Sequence, residues 1–323
     1  HAGSSVMRTD ISHLPAKNQR ELEQIVRAIF EEFEDAHKLA SGDRKAGRIL
    51  KVILYGSIAR GEGIYEPGTA KGYVSDYDIL VIVNQDELAE TEHWVNLEDR
   101  FTRDHVILNR LRHPVSLIVH TLQHVNNNLA EGRFFFLDVV KDGVALYQSD
   151  DSELATPRPK RPADALKLAR EYYDEWFPSA GAFYKMFELA LAEGTSQVFL
   201  KNAAFQLHQT TERLYHTLLL TCTFYTSHSH NIENLRKQGR RLDTRLVYVW
   251  PDDTKDARRR FSLLKEAYVK ARYSKHYRIE AEDLEWLGER VRELSAILQE
   301  VCAEHIAALA KAVADDRANP DAT

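Results

Sequence analysis

The sequence predicts an α/β domain followed by an all-α helical bundle, and three observations carry that expectation. Short apolar runs bounded by turn residues alternate with helix-period segments up to about residue 148. Beyond residue 163 turn signals thin out, and apolar residues recur at the three-and-four spacing of helices. Between the two, Ser149-Asp-Asp-Ser and then Pro157, Pro159 and Pro162 in basic surroundings read as an extended linker.

His1–Val6, before Met7, reads as a leftover of expression, so the first domain is taken as residues 7–148. Its first helix falls within residues 14–40, where Leu22, Ile25, Val26, Ile29, Phe30 and Phe33 repeat on one face. Strands follow at residues 50–55 and 77–83. A long amphipathic helix is expected over residues 86–111, from Leu88, Trp94, Leu97, Phe101, Ile107 and Leu108. Residues 115–119 form a third strand, leading into a helix that ends near Gly132. A short helix at 134–140 and a last strand at 144–147 complete the domain. The linker spans 149–162, and the bundle spans 163–313. Its helices are expected at 163–193, 197–224, 230–239, 254–275 and 280–313, with a frayed tail over 314–323.

Two segments of the first domain carry chemistry. Lys51-Val-Ile-Leu-Tyr-Gly56-Ser57 is an apolar strand that ends in Gly-Ser, followed by Arg60-Gly61-Glu62. Ser75-Asp76-Tyr-Asp78 opens a second apolar strand with two carboxylates at spacing two. Alternate residues of a strand share a face, so Asp76 and Asp78 can converge on one cation. A Gly-Ser turn gives a backbone that a phosphate can approach closely. Arg60 either contacts the phosphate tail or pairs with Glu62.

The pattern of strand, Gly56-Ser57, Arg60-Gly61, a gap, then Ser75-Asp76-x-Asp78-Ile79 resembles the minimal nucleotidyltransferases of the DNA polymerase beta superfamily. The resemblance implies a small mixed sheet and a Mg2+ (or Mn2+) ion held by Asp76 and Asp78. It also implies a nucleoside triphosphate, ATP foremost, held by Gly56, Ser57, Arg60 and Ser75. Members of the superfamily usually place a third carboxylate on the next strand. Here that strand has no acid; Ser116 and His120 share its parity, and His120 is the candidate base or ligand.

In the second half, Ala203-Ala-Phe-Gln-Leu-His208 through Glu212 to Tyr215, then His230-Asn231, resembles a HEPN domain, a nucleotide-binding helical bundle. That resemblance implies a bundle shaping the acceptor or nucleotide site, and a homodimer. His208, Glu212 and His216 fall on one helix face, as a polar seam or as metal ligands, and His208 and Glu212 are also candidates for an anion or acceptor site. Ribonuclease members of that family carry an Arg, then four to six intervening residues, then a His. Here Arg272 and His276 are one residue short of that pattern but on one helical face, as an anion or acceptor site.

The net charge of −6 hides an asymmetry. Residues 236–278 hold 14 Lys or Arg against 5 Asp or Glu, a local +9 that leaves −15 for the remainder. Such a block suits RNA, an acidic protein or a nucleotide, and Tyr248, Tyr268, Tyr273 and Tyr277 interleave with it. No apolar stretch reaches the ~20 residues that span a bilayer, so no membrane partner is expected. Cys222 and Cys302, distant in sequence and without metal spacing, suggest a reducing interior and hence a cytoplasmic protein.

Overall fold

The computed structural model describes residues 6–67, 74–227 and 229–321 and is a mixed α+β structure. Residues 1–5, most of the expected expression leftover, lie outside the described residues. Two compact units divide between Pro159 and Lys160.

The first unit is built on a four-stranded mixed sheet in the order β3-β2-β1-β4. Its strands are β1 (Ile49–Tyr55), β2 (Tyr77–Val83), β3 (Val115–Thr121) and β4 (Val144–Gln148). β2 and β3 run parallel, and β1 is antiparallel to both β2 and β4. Every residue of β1 and β2 is buried, which is why both read as continuous apolar runs rather than alternating ones. One sheet face, with Val52, Leu54, Tyr77, Ile79 and Val81, joins a core with α1 (Ala16–His37) and α3 (Val95–Val106). Tyr77 also donates its hydroxyl hydrogen to Glu21 of α1 at 3.0 Å. On the other face Tyr55 meets Phe135 of α5 (Phe134–Asp142) edge-on at 5.5 Å. α4 (Leu122–Ala130) precedes α5, and α2 is the single turn Gly56–Ala59 directly after β1.

The long helix expected over 86–111 is not continuous. Two 3-10 turns, Asp86–Ala89 and Thr91–Trp94, precede α3. The buried Trp94 indole donates to the Leu88 carbonyl at 2.6 Å, folding the segment back on itself. α3 closes before Asn109, whose φ of 50° is left-handed. The linker is extended but docked: the Ala155 amide donates to Asn126 Oδ1 at 2.8 Å and the Arg158 amide to the Leu129 carbonyl at 3.0 Å.

The second unit consists of α6 (Pro162–Ala192), α7 (Gln197–Thr223), α8 (Ile232–Arg240), α9 (Lys255–Tyr273) and α10 (Ala281–Ala318), with a 3-10 turn at Thr244–Leu246. α7 is central and packs against the other four helices. It ends at Phe224, which takes the left-handed conformation that terminates helices. α10 opens with a reciprocal Glu280/Asp283 capping box. The tail expected to fray from residue 314 is instead helical through Ala318. Ala314, Arg317 and Ala318 are good helix formers, and the break falls at Asn319-Pro320. Among the described residues no helix is long and apolar enough to cross a membrane.

Candidate functional site

Strand register brings the two motifs of the first unit together. Tyr55, the last residue of β1, is the Cα partner of Asp78 on β2, so the Gly-Ser turn begins beside the second aspartate. Gly56 has φ +80°, a left-handed conformation that side chains strain to adopt. A Cβ built there would lie 2.2 Å from Asp78 Oδ2. The carboxylate therefore rests directly over the glycine Cα, in space that only glycine leaves open. Asp76 and Asp78 are both buried, as is Ser75. Within the turn, Arg60 N donates to the Gly56 carbonyl, Gly61 N to Ile58 and Glu62 N to Ser57, at 3.3, 3.0 and 2.9 Å. Ile58 and Ala59 point into the core while Ser57 is half-buried.

Ser75, expected to help hold the triphosphate, is engaged with Ile64. Its Oγ accepts from the Ile64 amide at 2.8 Å, and its own amide donates to the Ile64 carbonyl at 2.8 Å. It is a cross-tie in the loop that delivers Asp76. The Ser75 carbonyl in turn accepts from His113 Nδ1 at 2.7 Å. His113 is buried, edge-on to Tyr77 at 5.1 Å. Burial lowers its pKa, against the opposing pull of the Ser75 carbonyl, Glu21 and Asp76. A neutral ring with its proton on Nδ1 matches that hydrogen bond. The sequence offered no sign of this role, because a His-Pro pair before a strand is compatible with any loop.

Arg60 Nε donates to Glu62 at 3.0 Å, and its Nη1 lies 3.8 Å from Asp142, so the guanidinium is engaged by carboxylates here.

His120 is not in the aspartate cluster. β3 pairs Asp78 with Ser116 and Ile82 with His120. The parity argument placed His120 on the right face, but four residues of strand carry it about 13 Å along the sheet. There it stacks on His124, ring centroids 4.4 Å apart, and lies edge-on to Phe136 at 6.0 Å. The position beside Asp78 where a third acid was sought holds the buried Ser116. Among the described residues no group of three His, Cys, Asp or Glu side chains is arranged to hold a metal ion. Two buried carboxylates beside an open backbone do fit Mg2+, a hard cation that keeps water and phosphate oxygens in its remaining positions.

The helical unit has its own polar cluster. Glu212 of α7 is buried, with His208 Nδ1 at 3.6 Å and His216 Nε2 at 3.7 Å on the turns before and after it. His230, from the α7–α8 loop, presents Nδ1 to Glu212 Oε1 at 2.7 Å. His216 Nδ1 is hydrogen-bonded to Thr226 Oγ1 at 2.6 Å. Burial opposes ionisation of Glu212, but the imidazoles of His216, His230 and His208 outweigh it and its pKa falls. Burial drives the His208 pKa down to about 4, and neither ring nitrogen makes a hydrogen bond of good geometry. An ionised Glu212 that accepts a hydrogen bond from His230 Nδ1 and a neutral His208 follow from these surroundings.

Arg272 and His276 do not share a helix face, because α9 ends at Tyr273 and His276 sits in the turn beyond. Arg272 lies over the Tyr268 ring at 4.5 Å, and Tyr268 stacks on His230 at 4.3 Å. Tyr277 is buried and donates to the Leu263 carbonyl at 2.6 Å, which removes it from any base-stacking surface. Much of the basic excess of 236–278 is matched by acids: Arg245 meets Glu304, Arg259 and Arg260 meet Asp283, and Arg278 meets Glu280.

Compared with known proteins, the sequence matches no family model and no curated protein.

Proposed function

We propose that the chain is a magnesium-dependent nucleotidyltransferase that moves a nucleoside monophosphate from a triphosphate, ATP foremost, to an acceptor hydroxyl. The observation that carries this reading is the fit of Gly56 beneath Asp78 Oδ2, which makes one site of two motifs 20 residues apart. Asp76 and Asp78 would hold Mg2+ or Mn2+. Once bound, the ion offsets charge that builds on the α-phosphate and the departing pyrophosphate. The bare Gly56 backbone leaves room for the phosphate tail, and Ser57 supplies a half-buried hydroxyl donor beside it. Arg60 exchanges its Glu62 partner for a phosphate oxygen, a swap that a side chain at the surface makes at little cost.

The resemblance to HEPN domains extends the reading to the helical unit, which would contribute to recognition of the acceptor or nucleotide. Small molecules, protein hydroxyls and RNA ends are the acceptor classes, and a cytoplasmic homodimer is part of the same reading.

The deciding experiment incubates the full chain with Mg2+ and each nucleoside triphosphate across a panel of acceptors and follows pyrophosphate release. Release that depends on Mg2+ and drops at least ~100-fold in Asp76→Asn supports transfer. Ser116 beside Asp78 favours a second reading, a nucleotide-binding regulator without turnover. Saturable nucleotide binding with no pyrophosphate from any acceptor would select it.

A further inference from the structure

The C-terminal end of α1 and the two 3-10 turns Asp86–Ala89 and Thr91–Trp94 enclose a cavity of about 210 Å3. α1 contributes Phe33, Ala36 and His37 to its lining, and the turns contribute Leu88 and Trp94. Three rings form a near-parallel stack: Phe33 lies 5.3 Å from His37 and 6.2 Å from Trp94, at 14° and 21°. Both ends of the stack are tied to the backbone. Trp94 Nε1 donates to the Leu88 carbonyl at 2.6 Å, and His37 Nε2 to the Lys45 carbonyl at 3.0 Å. The aromatic wall is therefore formed before any ligand arrives. Leu39, also in the lining, is 94% exposed, an apolar side chain left in water that a ligand's apolar body would cover.

Charge selects among occupants. Residues 31–40 and 85–94, which supply the walls, hold eight Asp or Glu against one Lys. Glu32 and Glu87 line the cavity itself. Arg100 of α3 reaches this wall but is divided between Glu31 at 2.8 Å and Glu32 at 3.3 Å, and Lys38 pairs with Asp35 at 3.0 Å. With Arg100, and with Asp43, Arg44 and Lys45 of the turn after α1, the balance is nine acids to four bases. An anionic ligand is repelled here and a cationic one attracted. A cation beside Phe and Trp rings gains further from their π faces. The volume falls short of the roughly 300–1,000 Å3 of drug-sized sites, which calls for a compact ligand.

We propose that this cavity binds a small aromatic ammonium, an aryl group carrying a protonated amine on a short chain. The ring lies against Phe33 and Trp94, and the ammonium faces Glu32 and Glu87. The site stands apart from the aspartate pair. β2 runs about 17 Å from Asp78 to its end at Val83, and the cavity lies beyond that end. Along α1, Phe33 and His37 follow Glu21, the partner of Tyr77, by 12 and 16 residues, about 18–24 Å of helix. The occupant is thus a second ligand rather than the acceptor, and the proposal does not depend on the nucleotidyl-transfer reading.

The test is calorimetric titration of the full-length chain with 2-phenylethylamine near neutral pH, where the amine is protonated. Expected is one saturable site with a Kd on the order of 100 µM. 2-Phenylethanol keeps the ring without the charge and 3-phenylpropanoate reverses the charge; each should bind at least ~10-fold more weakly. Ala36→Leu adds bulk at an exposed helix position in the lining and should abolish binding without changing the melting temperature by more than about 3 °C. Glu87→Gln, also at an exposed position, should weaken binding at least ~3-fold, and Asp76→Asn should bind the amine as the wild type does. Four results each overturn the proposal. These are no saturation by about 10 mM amine, equal affinity for 2-phenylethanol or 3-phenylpropanoate, wild-type binding in both Ala36→Leu and Glu87→Gln, and binding lost in Asp76→Asn, which would place the amine at the aspartate pair.

Discussion

Gly56→Ala is the perturbation that the site geometry specifies most tightly. The added methyl would sit 2.2 Å from Asp78 Oδ2 and 3.1 Å from its Cγ, where ordinary contact begins near 3.4 Å. The carboxylate oxygen must therefore retreat by about 1.2 Å, or the turn must open by the same amount. The backbone adds its own cost, because alanine at φ +80° is strained by on the order of 1–2 kcal/mol. A total loss of roughly 2–3 kcal/mol should lower the melting temperature by about 4–12 °C while the chain still folds. The functional effect should be larger than the stability effect. A reacting group displaced by ~1 Å loses about 100-fold in rate. Pyrophosphate release measured well below the variant's melting temperature, alongside a thermal melt, separates the two. An alanine variant with wild-type stability and wild-type turnover would refute the close approach of turn and carboxylate.

Other expectations follow from particular contacts. His120→Ala should change turnover less than ~3-fold, since β3 carries that residue about 13 Å from Asp78; a 100-fold loss would restore it to the site. His113→Phe keeps an aromatic ring but leaves the Ser75 carbonyl without its donor, and should cost roughly 1–2 kcal/mol by chemical denaturation. The folded pKa of His208, about 4, lies below the unfolded value of 6.5. Unfolding therefore takes up a proton, and its contribution to stability is lost as pH falls from about 6.5 toward 4. Integrated over that window the loss is on the order of 3 kcal/mol. The lowered pKa of Glu212 acts in the same direction at the acidic end, its stabilisation fading as the carboxylate protonates. His208→Gln should flatten the melting temperature against pH between 6.5 and 4, and an unchanged slope would show that the histidine is not the group responsible. Arg60→Ala should leave stability within ~1 kcal/mol, its ion pair with Glu62 being at the surface, while raising KM for the triphosphate.

Sequence pattern carried the architecture where each element answered to its own residues. β2 appears with the expected ends because its apolar run is bounded by Asp76 and Asn84. The motif pair was legible because a strand end and a strand start each constrain a backbone, and adjacent strands then join them. Distance along a neighbouring strand was not legible. Parity fixes a face, but the register that paired Ser116 rather than His120 with Asp78 depends on the whole β2–β3 ladder. Arg272 and His276 were separated by a helix end, a feature accurate to only a few residues from pattern. The Ser75–Ile64 cross-tie and the three imidazoles around Glu212 both join residues that only tertiary packing brings together.

The central claim is that the Gly56 turn and the two aspartates form a single seat for a metal-bound triphosphate. Calorimetric titration with a non-hydrolysable ATP analogue, with and without Mg2+, tests it without requiring an acceptor. The account predicts Mg2+-dependent binding to the wild-type chain, weakened at least ~10-fold in an Asp78→Asn variant that melts normally. Equal affinity without the ion, or an Asp78→Asn variant that binds as the wild type does, would contradict it.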